Sequence, residues 1–248
     1  MKSLRSEMQM VFQDPSASLD PRQAVGKAIE EVLALHTSLS PAARKEKVMA
    51  LLERVGLRRE HYHYYPNALS GGQKQRVCIA RAIATDTRLV VLDESLAALD
   101  VSVQAQILSL LNELSGDGRA YFFITHDLGV AKYFCDRIMV MYLGCECEMA
   151  PSEELFACPL HPYTQSLLAA IPRPEPREVD YEAQVLEGEV PNALHPPTGC
   201  FFHTRCSQAA ELCKKERPEL RELKKDHFVA CHLYKDSNPA AIMPAESD

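Results

Sequence analysis

The chain has 248 residues, of which 46% are apolar and 25% charged, with a formal net charge of -7 at pH 7. That length supports one or two domains with a real core, and the composition is ordinary for a globular protein. The acidic balance argues against a general nucleic-acid binder, no run of about 18 apolar residues is present to span a membrane, and Met1–Glu7 lacks the apolar stretch of a signal peptide.

In chain order, Met8–Phe12 predicts a strand, followed by a turn-rich loop from Asp14 to Arg22. Residues 23–35 predict a helix. Ser40 predicts the N-cap of a second helix with Pro41 at its first position; Val48, Leu51, Leu52 and Val55 recur at helical spacing, and Gly56 ends it. His61, His63 and the neighbouring tyrosines follow in a loop, where packed or solvated side chains outweigh a metal site. Ser70 predicts another N-cap. Gly71 and Gly72 carry no side chain, so a phosphate can approach the backbone there, facing the positive end of the next helix dipole. The body of that helix, Val77–Ala84, is apolar enough to be buried.

Leu89–Leu92 predicts a strand that ends in the carboxylates Asp93 and Glu94. A helix with Val103, Ile107, Leu110, Leu111 and Leu114 on one face follows. Then come strand Ala120–Ile124, a short helix from Asp127 and strand Ile138–Tyr142. Apolar strands separated by amphipathic helices imply a parallel sheet covered on both faces. The chemistry of such a sheet lies at the carboxyl ends of its strands, where Asp93, Glu94 and His126 sit. Alternating prolines make 172–182 an extended linker. A small loop-rich unit is expected over about 183–235 and a disordered tail over 236–248.

Five of the nine cysteines (Cys78, Cys135, Cys145, Cys147, Cys158) are scattered and read as reduced thiols of a cytosolic protein. The other four, Cys200, Cys206, Cys213 and Cys231, are separated by gaps of five, six and seventeen residues. Four soft sulfurs suit tetrahedral zinc or an iron–sulfur cluster; the alternative is four thiols packed in a small core. His203 and His232 are close enough in sequence to be alternative ligands.

Leu69-Ser70-Gly71-Gly72-Gln73-Lys74-Gln75-Arg76 resembles the signature loop of ATP-binding cassette (ABC) ATPases. Met10–Pro15 resembles that family's Q-loop, Leu89–Glu94 its Walker B strand, Ala97–Asp100 its D-loop and Thr125–Asp127 its switch histidine. All five stand in the family's order. The resemblance implies an α/β, P-loop NTPase-like parallel sheet with an inserted helical subdomain, here about 23–86 within a partial ATPase domain of 1–171. It implies ATP and Mg²⁺ as cofactors. It further implies a general-base role for Glu94, contact of His126 with the terminal phosphate, and a magnesium-linked role for Asp93 and Gln13. Ser70, Gly71, Gly72 and Gln73 would bind nucleotide in trans, and Asp100 belongs to the D-loop.

Ser18–Arg22, Ala98–Gln106, His161–Thr164 and Gly199–His203 narrow the resemblance to the ATP-binding subunits of dipeptide and oligopeptide importers, over residues 8 to about 235. It then implies a second ABC ATPase subunit (homo- or heterodimer) and transmembrane permease subunits as partners. An extracytoplasmic peptide-binding protein would act indirectly, nucleic acid would play no part, and the chain would lie on the cytoplasmic face of the membrane. It also makes 183–235 a Cys-rich C-terminal extension and favours an iron–sulfur cluster there, with zinc as the alternative.

Two departures stand out. Ser95 occupies the position after the glutamate where the family usually has proline, which loosens the placement of Glu94. No G-x-x-x-x-G-K-[ST] occurs: only Gly26 precedes a lysine, Ala28 follows that lysine, and Pro21 stands where the first glycine should be. The expectation is a chain truncated before the Q-loop, with the strand edge Val90–Leu92 exposed because the P-loop strand would lie beside it. A catalytically silent interaction module or a truncated remnant is the alternative. A soluble ABC protein of translation or DNA repair is a third, disfavoured by the C-terminal extension and the acidic charge.

Overall fold

Three short strands, β1 (Met8–Val11), β2 (Leu89–Asp93) and β3 (Ala120–Ile124), form a parallel sheet in the order β1-β2-β3. Their register sets Val11 beside Leu92 and Phe123, so alternate residues point to one face. Val11, Val90 and Leu92 are buried there. The computed structural model describes residues 6–85, 87–116, 118–171 and 188–235; the expected linker 172–182 and tail 236–248 lie outside the described residues. The chain divides into two compact units, Met1–His126 and Asp127–Asp248.

Two expectations are corrected in the first unit. Met8, Met10, Phe122 and Ile124, on the opposite side of the sheet, are exposed, so among the described residues this sheet is covered on one face only. The Walker B-like strand β2 is central, paired with β1 along one edge and with β3 along the other. The exposed edge expected at Val90–Leu92 is therefore not found, because β1 and β3 cover both sides of that strand.

The helical part follows its sequence signals. Helix α1 spans Val25–His36 and buries Val25, Ile29 and Leu33; α2 spans Pro41–Arg54 and buries Val48, Leu51 and Leu52. The Ser40 hydroxyl accepts the Ala43 amide at 3.3 Å, and Gly56 closes α2 with φ +76°. His61, in a single-turn 3-10 helix, is buried and its Nδ1 accepts the Arg58 amide at 2.9 Å, so it is a packing residue. Tyr62, beside it, is buried against α1 at Gly26. A Cβ on Gly26 would come within 2.3 Å of the Tyr62 ring and 2.6 Å of its carbonyl oxygen. Gly26→Ala is thus expected to destabilise the chain by roughly 1–3 kcal/mol, because the obstruction includes backbone. An unchanged thermal unfolding midpoint would refute this. Helix α3 (Gly71–Ala82) and helix α4 (Val101–Ser115) complete the unit; Ile107, Leu110, Leu111 and Leu114 are buried, while Val103 is half-buried against the start of α3.

In the second unit, Asp127 caps α5 (Leu128–Phe134), and β4 (Arg137–Tyr142) and β5 (Cys145–Pro151) form a hairpin. The strand ending at Tyr142 therefore does not extend the parallel sheet. Leu143 and Gly144 both have positive φ, +47° and +76°, as a two-residue hairpin turn demands, and such a turn permits only antiparallel pairing. Helices α6 (Ser152–Ala157) and α7 (Pro162–Ala169) follow. After the short α8 (Glu211–Lys215), β6 (Arg221–Lys224) and β7 (His227–Val229) join the hairpin in the order β4-β5-β7-β6. The Cys-rich segment thus shares one sheet with residues 137–151. No helix among the described residues is long and apolar enough to cross a membrane.

Candidate active site at the strand ends

The ends of three adjacent parallel strands deliver the expected side chains to one place. Gln13 follows β1, Glu94 follows β2 and His126 follows β3. The Gln13 Nε2 donates to Glu94 Oε2 at 2.8 Å, and His126 Nδ1 lies 3.6 Å from Glu94 Oε1. Asp93, half-buried, ends β2 opposite Ile124. Glu94 has φ +42°, a sparsely populated conformation for a residue with a side chain. Two backbone bonds hold it: its amide donates to the Ile124 carbonyl at 2.9 Å, and its carbonyl accepts the Ala97 amide at 3.0 Å. Ser95 is buried, with a hydroxyl that has no hydrogen-bond partner among the described residues. Glu94 is therefore anchored without the proline.

The signature segment forms a capping box. The Ser70 hydroxyl accepts the Gln73 amide at 3.3 Å, and Gln73 Oε1 accepts the Ser70 amide at 2.9 Å. The two glycines have a packing reason besides phosphate approach. A Cβ on Gly72 would lie 2.6 Å from Val103 Cγ1, and one on Gly71 would touch Leu99. Asp100 caps α4 by accepting the Ser102 hydroxyl at 2.7 Å and the Val103 amide at 3.0 Å; these bonds hold its carboxyl below the usual range. Gln104 Nε2 donates to the Leu96 and Leu99 carbonyls and so pins the D-loop.

Sequence reasoning missed the ties between α3 and the turn after Gln13. Lys74 Nζ donates to the Ser16 hydroxyl at 3.1 Å, and Arg81 donates to the Ser18 carbonyl at 2.7 Å. Their spacing of seven, two turns along one helix face, is the signal that could have found them. Arg76 reaches the Val55 carbonyl at 2.7 Å and Gln106 at 3.2 Å.

In the second unit the four clustered cysteines lie within electrostatic reach of one another. Burial, and then the neighbouring thiols Cys200, Cys206 and Cys213, push Cys231 up to about 12 against the opposing Leu233 amide. Burial raises Cys200 and Cys206 as well. Backbone amides of Phe202, Gln208 and Leu233 act against that rise at Cys200, Cys206 and Cys231 respectively. Four soft sulfur donors are chemically suited to a thiolate-bound metal. Among the described residues no three His, Cys, Asp or Glu side chains converge into a metal cage. His203 Nδ1 and His232 Nε2 are engaged by the carbonyls of Cys200 at 2.8 Å and Glu216 at 2.9 Å, which removes those nitrogens as alternative ligands.

Comparison with known proteins agrees with this geometry. The family "ABC transporter" matches residues 1–97, and "Oligopeptide/dipeptide transporter, C-terminal region" matches 147–213. The chain is 48% identical over 232 residues to the di/tripeptide transport ATP-binding protein DppF of Pseudomonas aeruginosa, covering 93% of this chain and 71% of the relative. It is 48% identical over 235 residues to the oligopeptide transport ATP-binding protein AppF of Bacillus subtilis, covering 94% and 71%. Among solved structures, cbiO1 of Clostridium perfringens, part of the ABC transporter complex cbiONQ, superposes with a TM-score of 0.57 at 29% identity, over 62% of this chain and 61% of that one. With Gln13, Glu94 and His126 gathered at the strand ends and the capped Ser70-Gly71-Gly72-Gln73 turn in the same unit, the chain belongs to the ABC ATPases that serve as ATP-binding subunits of dipeptide and oligopeptide transporters.

Proposed function

We propose that this chain works in an importer of di- or oligopeptides on the cytoplasmic face of the membrane, coupling ATP hydrolysis to movement of the permease subunits as one half of an ATPase dimer. The observation that carries the reading is the set Gln13–Glu94–His126, in which Gln13 hydrogen-bonds Glu94 and His126 lies 3.6 Å from it. Glu94, oriented by the Gln13 amide, suits the removal of a proton from an attacking water, and the adjacent His126 imidazole suits contact with a terminal phosphate. Asp93 and Gln13 would hold Mg²⁺, which offsets the charge on the phosphates. Ser70 to Gln73, at the positive end of α3, suits the phosphates of a nucleotide bound by a partner subunit.

Within these 248 residues no G-x-x-x-x-G-K-[ST] is available to cradle a nucleotide. We therefore infer that the chain contributes its signature turn to a partner's site. Purified alone, it is expected to release no phosphate from ATP, and mixing with a second ATP-binding subunit that carries the motif should restore turnover. Turnover by the isolated chain, lost in Glu94→Gln, would overturn this inference. A silent interaction module is the second reading. It rests on the same missing motif and predicts that the mixture's turnover does not depend on Ser70.

For the four cysteines we propose an iron–sulfur cluster, with zinc as the alternative. Support comes from the sulfur donor set, its mutual electrostatic reach and the family match over 147–213. Anaerobically purified chain should be brown and contain iron, and a serine at any one of Cys200, Cys206, Cys213 or Cys231 should remove it. Stoichiometric zinc without iron would select the alternative, and the absence of any metal would leave packed thiols.

A further inference from the structure

Helix α3 is tied at two points to the turn that follows β1. Lys74 Nζ donates to the Ser16 hydroxyl at 3.1 Å, and the Arg81 guanidinium donates to the Ser18 carbonyl at 2.7 Å. The two donors stand seven residues apart on the helix, a rise of about 10.5 Å. One bond would leave α3 free to pivot, whereas two bonds that far apart fix its direction as well as its place. Lys74 directly follows Gln73 of the capping box, and Arg81 lies in the last turn. The ties therefore hold both the first and the last turn of the signature helix.

The turn closes through its own bonds. The Ser16 amide donates to Asp14 Oδ1 at 2.7 Å, and the Ser18 amide and hydroxyl donate to the Asp14 carbonyl at 3.2 and 2.8 Å. Pro15 and Leu19 are buried. Lys74 and Arg81 thus set where the turn lies against the helix rather than the shape of the turn. Gln13, the residue before Asp14, donates to Glu94 at 2.8 Å. A continuous path of bonds runs from the carboxylate at the end of β2, through Gln13 and the Asp14–Ser18 turn, to α3.

We propose that Lys74 and Arg81 are positioning residues that lock the signature turn Ser70–Gln73 to the strand-end residue Gln13, so that the turn meets a partner's phosphate at a fixed place and angle. This rests on the reading that the signature turn serves a nucleotide held by a second subunit. Neither side chain needs to touch that nucleotide. The Lys74 ammonium is engaged by Ser16, and Arg81 stands about 12 Å along the helix from Gln73. A shift of the helix end by about 1 Å would misalign the amides aimed at the phosphate and cost up to about 10²-fold in rate. ATP itself is held by the partner's cradle, so loss of the lock lowers kcat and leaves KM in place.

The test is steady-state phosphate release by the full chain mixed with a second ATP-binding subunit that carries the P-loop motif, with this chain in saturating excess. Lys74→Met and Ser16→Ala are each expected to lower kcat about tenfold with the KM for ATP unchanged within about twofold. The double variant should fall no further, because all three remove the same contact. Arg81→Met should lower kcat by a similar factor, and Arg81→Lys, which keeps a donor, should recover most of it. A mere shortage of folded chain would be made good by the excess and leave kcat at the parent value. A loss in Lys74→Met that Ser16→Ala does not share, or losses that add in the double variant, would overturn the proposal, since Lys74 would then act on something other than the turn. Ser70→Arg separates the two possible failures. If it removes turnover while Lys74→Met and Ser16→Ala keep the parent kcat, the positioning role alone is wrong. If Ser70→Arg also leaves turnover unchanged, the reading beneath it fails too.

Discussion

Ser70→Arg is expected to remove most of the phosphate release of a dimer formed by this chain and a subunit that carries the P-loop motif. The substitution deletes the hydroxyl that accepts the Gln73 amide, worth about 1 kcal/mol as an N-cap. It also places a bulky cation where the helix end would meet a phosphate, and a lost donor at such a position costs about 10²-fold or more in rate. Ser70→Thr, which keeps a capping hydroxyl, should retain most of the turnover and so separates the local chemistry from helix fraying. Glu94→Gln in the same chain should change the rate little, since no nucleotide cradle within these residues faces it. If Glu94→Gln proves as damaging as Ser70→Arg, this chain hydrolyses nucleotide at its own strand ends.

The second large effect is structural and belongs to the Cys-rich sheet. Glu148 on β5 and His227 on β7 are both buried, 2.7 Å apart and 79 residues apart in sequence. The Glu148 carboxylate also accepts the Leu160 and His161 amides at 2.7 and 2.9 Å. Burial alone would raise its pKa, but His227, Thr164 and these amides outweigh burial and lower it. Glu148→Ala leaves His227 and two amides buried without their acceptor, and should cost about 3–5 kcal/mol. An unfolding midpoint for the second unit within a degree or two of the parent would contradict this.

Acid should act on the same place. Glu148 has a depressed folded pKa, so its stabilisation is present above the ordinary carboxylate range and is lost as pH falls through the folded value. His161, held neutral with a folded pKa of about 4 against 6.5, contributes stability above pH 6.5 that falls by up to about 3 kcal/mol between pH 6.5 and 4, because only the unfolded chain takes up the proton there. Both signs agree. The second unit should therefore lose stability steadily below pH 6.5, a trend that chemical denaturation at stepped pH would measure.

Features set within one or two helical turns were legible in the residues. The Ser40 and Ser70 caps, the Gly56 stop and the buried face of α4 each depend on neighbours three or four positions away, where residue type decides the outcome. The Gln13–Glu94–His126 set was legible in another way, through motifs that each mark a strand end. The antiparallel turn at Leu143-Gly144 escaped notice because the apolar run of β4 reads alike in a parallel or an antiparallel strand.

Residue order alone determined the caps, the helix faces, the carboxylates at a strand end and the absence of a phosphate-cradling motif, because covalent neighbours and short-range backbone hydrogen bonds control these. Strand partners required the folded chain. It placed β2 between β1 and β3, pressed Gly72 against Val103, tied Lys74 to Ser16 and Arg81 to Ser18, and buried Glu148 against His227. Each of these contacts joins residues 31 to 79 positions apart, or strands even when no single residue type demands the neighbour. Their energy comes from excluding water and pairing buried polar groups, which exist only once distant segments have packed.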